Sequence, residues 1–286
     1  MVVGAASRDV VAGDPRGWRL GGGASYCSLT AARLGLRVGC LLGVDETAAK
    51  EAAEELALLA DAGVELRQAP LDHGPVFENI EIGGHRRQRW LSKSDLIPPA
   101  ALPAEWRDTA AWLMVPVAAE IGEEWAAAIP NGSVVAVGWQ GLLREFAADG
   151  WVNRIGPRPS ALLRTAGLVA ASVDDLAGET RLDRLAAFAP AATLVLTAGA
   201  GGGLVRSGGK VTRYRAAAAD VVDATGAGDV FLASLVAAWL LTGELATGAT
   251  LRFAAAAGAC AVEGLGLGGV PTRTQVADRL AARLAG

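Results

Sequence analysis

The sequence predicts an α/β protein: a doubly wound, mainly parallel sheet with flanking helices and a small β lid. Three observations carry this expectation. Short apolar or β-branched runs at 38–42, 133–137, 167–171 and 193–197 alternate with Ala/Leu/Glu-rich stretches such as 47–62. From residue 229 onward the pattern turns helical, through 241, then 245–262, then 274–284. One segment breaks the alternation, where 76–82 and 86–91 flank Gly83 and Gly84 and read as a β-hairpin with a tight turn.

The alternating runs have the rhythm of a parallel sheet, whose ligands bind beyond the carboxyl ends of the strands. The stretch 230–241 is strongly apolar but well short of the roughly 20 residues of a membrane span, so it reads as a buried helix. In the hairpin, side chains alternate, placing Phe77, Asn79 and Glu81 on one face and Arg86, Gln88 and Trp90 together likewise. Such a polar face suits a lid over a polar substrate; equally, it suits a solvated edge whose arginines discourage aggregation. With 286 residues, 52% of them hydrophobic, the chain is expected to form one domain over 1–286, with the lid at about 74–92.

A formal charge of only −4 and no run of Lys or Arg exclude the electrostatic footprint of a nucleic-acid binder, leaving a small-molecule partner. Cys27, Cys40 and Cys260 form no C-x-x-C pair and the histidines are His73 and His85 alone, so neither a disulfide framework nor a zinc site is expected. Residues 1–6 are apolar but short and lack a basic leader, which predicts a cytoplasmic protein with no membrane partner. An exposed hairpin edge is compatible with a monomer or a homodimer.

The motif that carries chemistry is Asp223-Ala224-Thr225-Gly226-Ala227-Gly228-Asp229, directly before the apolar helix. Glycines let backbone N–H groups approach an anion, and the first helical turn adds unpaired donors and the positive end of the dipole. Asp229 at that helix start is placed to take a proton from a hydroxyl while the N–H groups of 226–228 hold a phosphoryl group. An N-capping aspartate after a glycine turn would explain Asp229 alone, but neither Asp223 nor Thr225.

This motif resembles the C-terminal signature of the ribokinase-like (PfkB) carbohydrate kinases, D-T-x-G-A-G-D, with Ala224 in place of the usual Thr. The resemblance implies a ribokinase-like fold, Asp229 as catalytic base, Gly226, Ala227 and Gly228 as anion hole, and Asp223 and Thr225 as organisers of the donor loop. ATP and Mg²⁺ are implied as cofactors, with K⁺ near 223–225. The run from Gly21 to Gly35 resembles the family's N-terminal signature, implying that Gly21 and Gly22 approach a sugar, with Tyr26 where Asn is usual. Asp9, in Gly4-Ala5-Ala6-Ser7-Arg8-Asp9, matches an aspartate that grips substrate hydroxyls. Thr197, Gly199 and Gly202 resemble a turn lying against the nucleotide. The family's N-x-x-E is reduced to Ser172-Val173-Asp174-Asp175, leaving Asp175 as a hard oxygen donor to Mg²⁺ through water. Tyr26, Arg86 and Gln88, with Gln140 and Arg144, are similar to an inositol-kinase-like subgroup and are candidate substrate contacts.

The implied reaction is transfer of the ATP γ-phosphate to a hydroxyl of a small sugar or polyol. Two alternatives stand beside it: a nucleoside or vitamin kinase, with Tyr26 and Trp90 as an aromatic slot for a base, and a silent relative that only binds. Gly264-Leu265-Gly266-Leu267-Gly268-Gly269 satisfies G-x-G-x-x-G but follows a helix, and no Walker A sequence exists. Neither a dehydrogenase nor a P-loop enzyme is expected.

Overall fold

The computed structural model describes residues 1–82, 85–178 and 181–282. The N-terminal half runs β1 (Val2–Ala5), β2 (Ser7–Val10), β3 (Trp18–Gly21), α1 (Gly23–Arg33), β4 (Val38–Asp45), α2 (Glu46–Glu51) and α3 (Ala53–Asp61). It continues through β5 (Val64–Leu71), β6 (Val76–Ile82), β7 (His85–Ser92), β8 (Ala111–Met114), α4 (Trp125–Ala128) and β9 (Val134–Gly138). Then follow β10 (Arg144–Phe146), β11 (Val152–Arg154), α5 (Ala161–Thr165), β12 (Leu168–Ser172), α6 (Leu182–Leu185) and β13 (Thr193–Thr197). β14 (Gly203–Ser207), β15 (Lys210–Tyr214), α7 (Ala227–Thr242), α8 (Gly248–Ala261) and α9 (Arg273–Ala282) complete the chain.

Among the described residues the main sheet has the order β15-β14-β13-β12-β9-β8-β1-β4-β5. From β13 to β5 every pairing is parallel; the β13–β14 and β14–β15 pairings at one edge are antiparallel, so β14 alone runs against the rest. The expected doubly wound, mainly parallel sheet is therefore present. Period-two burial explains why: Val2, Cys40, Leu42 and Ala136 enter one core, while Val3, Leu41, Val135 and Val137 enter the other. A strand covered on both faces needs apolar residues at nearly every position, which is the pattern of the runs. Strand order reverses around β1, so β1 and β8 leave a crevice at their carboxyl ends.

The helix over 229–241 is α7, which starts two residues earlier and is buried from Val230 to Ala238. An all-round apolar helix belongs inside, and each large side chain it buries contributes roughly 1.5–3 kcal/mol. Its register against α1 decides where the 223–229 loop ends up. The helix expected over 47–62 is two helices, broken at Ala52, whose φ of −100° and ψ of 28° depart from helical geometry. No Gly or Pro marks that break.

The hairpin is present as β6 and β7, but it does not stand alone. β6 pairs in parallel with β2, which pairs with β3, giving a four-stranded sheet in the order β3-β2-β6-β7. The hairpin expected as a lid at 74–92 is thus joined by 7–10 and 18–21, strands of four residues each, too short for alternation to reveal. Phe77 is buried with Val117 and Ala118 in a small separate core, against which Trp90, Phe146 and Val152 pack. The turn residues Gly83 and Gly84 lie outside the described residues, as does the side chain of Arg86, whose backbone pairs with Glu81. No helix among the described residues is long and apolar enough to cross a membrane.

Candidate active site

The loop between β15 and α7 is shaped by two residues. Gly226 caps α7 with φ of 75°, a left-handed conformation that favours glycine. Asp223 accepts a hydrogen bond at Oδ1 from the Thr225 N–H at 2.9 Å and at Oδ2 from the Gly266 N–H at 3.2 Å, with Arg19 Nη1 at 4.0 Å. Burial opposes its ionisation, but these hydrogen bonds and the Arg19 charge outweigh it and hold the carboxyl below its ordinary value. Asp223 thus ties the glycine turn to the 264–269 connection, whose end forms a short 3₁₀ turn at Gly266–Gly269.

At the start of α7 the Gly228 and Asp229 N–H groups have no partner among the described residues, as first-turn donors do not, while the Ala227 N–H reaches back to the Ala224 carbonyl at 3.4 Å. Asp229 projects toward α1: a Cβ built on Gly23 would lie 2.9 Å from its Oδ1. Burial first, then the charges of Asp175 and Asp9, push the Asp229 carboxyl up to about 7, against a lowering by Arg144. The N-termini of α1 and α7 therefore meet above the crevice at the end of β1.

Asp9 stands on β2, where Oδ1 accepts from Ser7 Oγ at 2.9 Å and Oδ2 presses on Gly21, leaving no room there for a side chain. Gly22, with φ of 92°, caps α1 and lies against the Ala5 carbonyl. These glycines allow β1, β3 and α1 to converge, and Asp9 lies within electrostatic range of Asp229.

Several expected contacts have other partners. Tyr26 is only 2% exposed, its ring packed on Gly226, so it underlies the 223–229 loop rather than opening into a pocket. Trp90 donates from Nε1 to the Ala147 carbonyl at 2.9 Å and stands edge-on to Phe146. The aromatic slot imagined from Tyr26 and Trp90 is thereby lost, each ring being spent on packing. Gln88 donates to Asn79 Oδ1 at 3.1 Å across the β6–β7 pair, and Gln140 donates to Asp175 Oδ1 at 3.0 Å. Asp175 Oδ2 accepts from the Ser172 N–H at 3.0 Å within a capping box at the end of β12.

β13 ends at Thr197, whose hydroxyl bonds the Ala171 carbonyl at 3.4 Å, and a 3₁₀ turn at Gly199–Gly201 follows. Gly202 has φ of 81° and lies against the Tyr214 carbonyl, so no side chain fits. Ser172, Thr197 and this turn share the carboxyl edge of the sheet with the 223–229 loop's helix. Val221 and Val222, 66% and 60% exposed, precede that loop, and Val222 bonds back to Val262 at the end of α8; Leu265 is 55% exposed beside them.

Residue-type reasoning missed Glu120. It is fully buried, and its carboxylate accepts from the N–H groups of Ala5, Val117 and Ala118 at 2.7–3.1 Å, joining the ends of β1 and β8. Burial pushes its carboxyl up, against those hydrogen bonds. A lone glutamate in the apolar run 115–121 was its available signal. Arg19 was missed for want of any motif around it.

Residues 165–273 match the family described as pfkB family carbohydrate kinase. No curated protein matches the chain. Among solved structures, a pyrophosphate-dependent kinase in the ribokinase family, complexed with a pyrophosphate analog and myo-inositol, aligns at TM-score 0.75 and 18% identity over 97% of this chain and 98% of its own. A putative ribokinase II from E. coli in complex with ATP and Mg²⁺ aligns at 0.70 and 16% identity over 98% and 99%. A nucleoside kinase from Methanocaldococcus jannaschii aligns at 0.72 and 17% identity over 98% and 97%. At such identities the likeness is one of fold, and the fold is that of ribokinase.

Proposed function

We propose that this ribokinase-fold chain, matched over 165–273 by the pfkB carbohydrate kinases, transfers the γ-phosphate of ATP to a hydroxyl of a sugar or cyclitol. One observation carries the reading. Within a single turn of α7, a carboxyl pushed up to about 7 stands beside N–H groups that have no partner among the described residues. A base works best when its pKa lies near the operating pH, and unpaired donors at a helix start are suited to charge that develops on a phosphoryl group.

In this reading Asp9 holds acceptor hydroxyls, Asp229 takes the proton of the attacking one, and the N–H groups around Gly228 receive the growing negative charge. The lid sheet shields the crevice from water, which limits hydrolysis of the donor. Mg²⁺, when bound with the donor, would neutralise phosphate charge. Among the described residues no group of three or more His, Cys, Asp or Glu side chains converges on a metal position, so its ligands would be chiefly phosphate oxygens and water. Asp175 fits as a partner to that water, since each carboxylate oxygen accepts one bond and retains a lone pair.

The donor admits a second reading. Apolar Val221, Val222 and Leu265 beside the anion loop suit the face of an adenine base, which favours ATP. Pyrophosphate has no use for that surface, yet a pyrophosphate-dependent kinase shares the fold at TM-score 0.75. The test is phosphorylation of a panel of cyclitols, ketoses, aldoses and nucleosides with ATP or pyrophosphate, with Mg²⁺, with and without K⁺, alongside Asp229→Asn. Transfer from ATP to a polyol that disappears in Asp229→Asn supports the proposal. Transfer from pyrophosphate alone corrects the donor, and binding of ATP without turnover on any acceptor overturns the activity.

A further inference from the structure

β1 and β8 separate where they reach the crevice, and the side chain of Glu120 fills the gap between them. Val115, one residue beyond β8, still donates from its N–H to the Val3 carbonyl at 3.0 Å. A parallel ladder would continue from the Ala5 N–H to the Val115 carbonyl; instead the Ala5 N–H donates to Glu120 Oε1 at 2.9 Å. Both Glu120 oxygens also accept from the Val117 N–H, at 3.1 and 3.0 Å, and Oε2 accepts from the Ala118 N–H at 2.7 Å. The chain turns back to make this possible at Ala119, which has a left-handed φ of 59° without being glycine, and the Ile97 N–H holds the Glu120 carbonyl at 2.9 Å. Strain of this kind persists where the surroundings over-determine it, and it gathers at functional sites.

Both segments that Glu120 ties together lead by contact to the transfer site. On one side they seat the start of α1. A Cβ built on Gly23 would lie 3.0 Å from Val115 Cβ and 2.9 Å from Asp229 Oδ1, and one built on Gly22 only 2.3 Å from the Ala5 carbonyl oxygen. On the other side, Val117 and Ala118 form a small core with Phe77 of the lid sheet. Phe77 is the register partner of Asp9 across the β2–β6 pair, so the two residues share one face. The 223–229 loop takes its position elsewhere, from the bond of Asp223 to Gly266 and from the ring of Tyr26 under Gly226.

We propose that Glu120 is a positioning residue for the acceptor side of phosphoryl transfer: wedged between the ends of β1 and β8, it holds Ala5, Val117 and Ala118 in the arrangement that sets Asp9 and Asp229 about one acceptor. A carboxylate suits the place because it only accepts, and the N–H groups that converge on it offer nothing to a donor. An amide of the same shape would turn its NH₂ on one of those N–H groups whichever way it lay. The wedge would then shift, and with it the floor under Gly22 and Gly23 and the rest for Phe77.

This role rests on the reading of Asp229 as base, and the experiment separates the two. Wild type, Glu120→Gln, Asp229→Asn and Leu185→Ala are compared by Tm and by steady-state kinetics, with acceptor and donor varied in turn. Leu185 is buried in the second core, so its truncation lowers Tm without touching the bonds of Glu120. Glu120→Gln is expected to lower kcat/KM for the acceptor by roughly 10- to 100-fold, through both kcat and acceptor KM, while the donor KM stays near that of the wild type. Leu185→Ala should keep wild-type kinetics at a lower Tm. If Asp229→Asn is active, the reading of the base fails and the inference with it. If Asp229→Asn is inactive and a folded Glu120→Gln loses Tm alone, or raises both KM values together, the base stands and the positioning role is overturned. Should Glu120→Gln not fold, Glu120→Asp keeps the charge but is one methylene shorter, so it cannot reach Ala5 and the 117–118 N–H groups together; the same split supports the role and wild-type acceptor kinetics overturn it.

Discussion

The ring of Tyr26 fills the space that a side chain at Gly226 would need: a Cβ built there overlaps Cδ1 and Cε1 of the tyrosine. Gly226 is also at φ of 75°, so alanine meets a backbone penalty of about 1–2 kcal/mol besides the clash. Gly226→Ala is expected to lower Tm and to raise the donor KM. Combining it with Tyr26→Ala should recover only the steric part, which a double-mutant cycle on thermal stability would measure as strong coupling.

Asp229→Asn should reduce kcat by roughly 10²- to 10⁴-fold with little change in donor affinity. Stability should move the other way. The folded carboxyl titrates at about 7 against 3.8 for the ordinary group, so between these values the native state binds the extra proton and stability falls as pH rises. Above about 7 the full cost of the desolvated charge is present. Thermal melts should therefore show Asp229→Asn more stable than the wild type at pH 8 and little different near pH 4; a variant less stable at pH 8 would contradict the cause assigned to the shift.

Asp223 joins two loops through charge-assisted hydrogen bonds, each worth about 1.5–3 kcal/mol. Asp223→Ala is expected to weaken donor binding by roughly 10- to 100-fold, read by calorimetry, with a smaller effect on acceptor KM. An equal loss for both substrates would mean that the residue supports the whole crevice.

Arg19 reaches from β3 to 4.0 Å from Asp223 Oδ2 and is oriented by Asp14 Oδ2 at 3.0 Å. It already supplies positive charge where the family resemblance places K⁺. Arg19→Ala should raise the donor KM several-fold, and K⁺ should restore more of the rate in the variant than it adds to the wild type. Indifference of both proteins to K⁺ would argue that Asp223 needs no cation.

The exposed Val222 and Leu265 give a test of the donor. Replacing both by alanine removes apolar area worth roughly 1–2 kcal/mol to a stacked base, a 5- to 30-fold rise in the KM for ATP. The KM for pyrophosphate should be unchanged. A parallel rise for both donors would place the base elsewhere.

Much of the main sheet was legible because strands buried on both faces are near-continuous apolar runs, as in 193–197. The glycine turn and the helix start that carries Asp229 were legible because both are packed into seven consecutive residues. β2 and β3 were not: Ser7-Arg8-Asp9-Val10 is polar and short, and becomes a strand only because β6 offers it a partner. Tyr26 was misplaced because its sequence neighbours say nothing of Gly226, 200 positions away. Arg144 drew notice as an acceptor contact, whereas its observed contacts are the Val117 carbonyl and the Phe77 ring, which lie far from it in sequence, a convergence that no local pattern encodes.

The place of β1 in the middle of the sheet bears on how the protein folds. β1 pairs with β4 and with β8, so Val2 meets Leu113, and α1 must later receive α7 from beyond residue 226. Closing such long loops before their contacts stabilise them makes folding slow. During synthesis β1 and α1 emerge long before α7, and the crevice is incomplete until α7 brings Asp229 to Gly23. Phosphoryl transfer should therefore be the last property to recover on refolding, later than the far-ultraviolet signal of the helices and sheet.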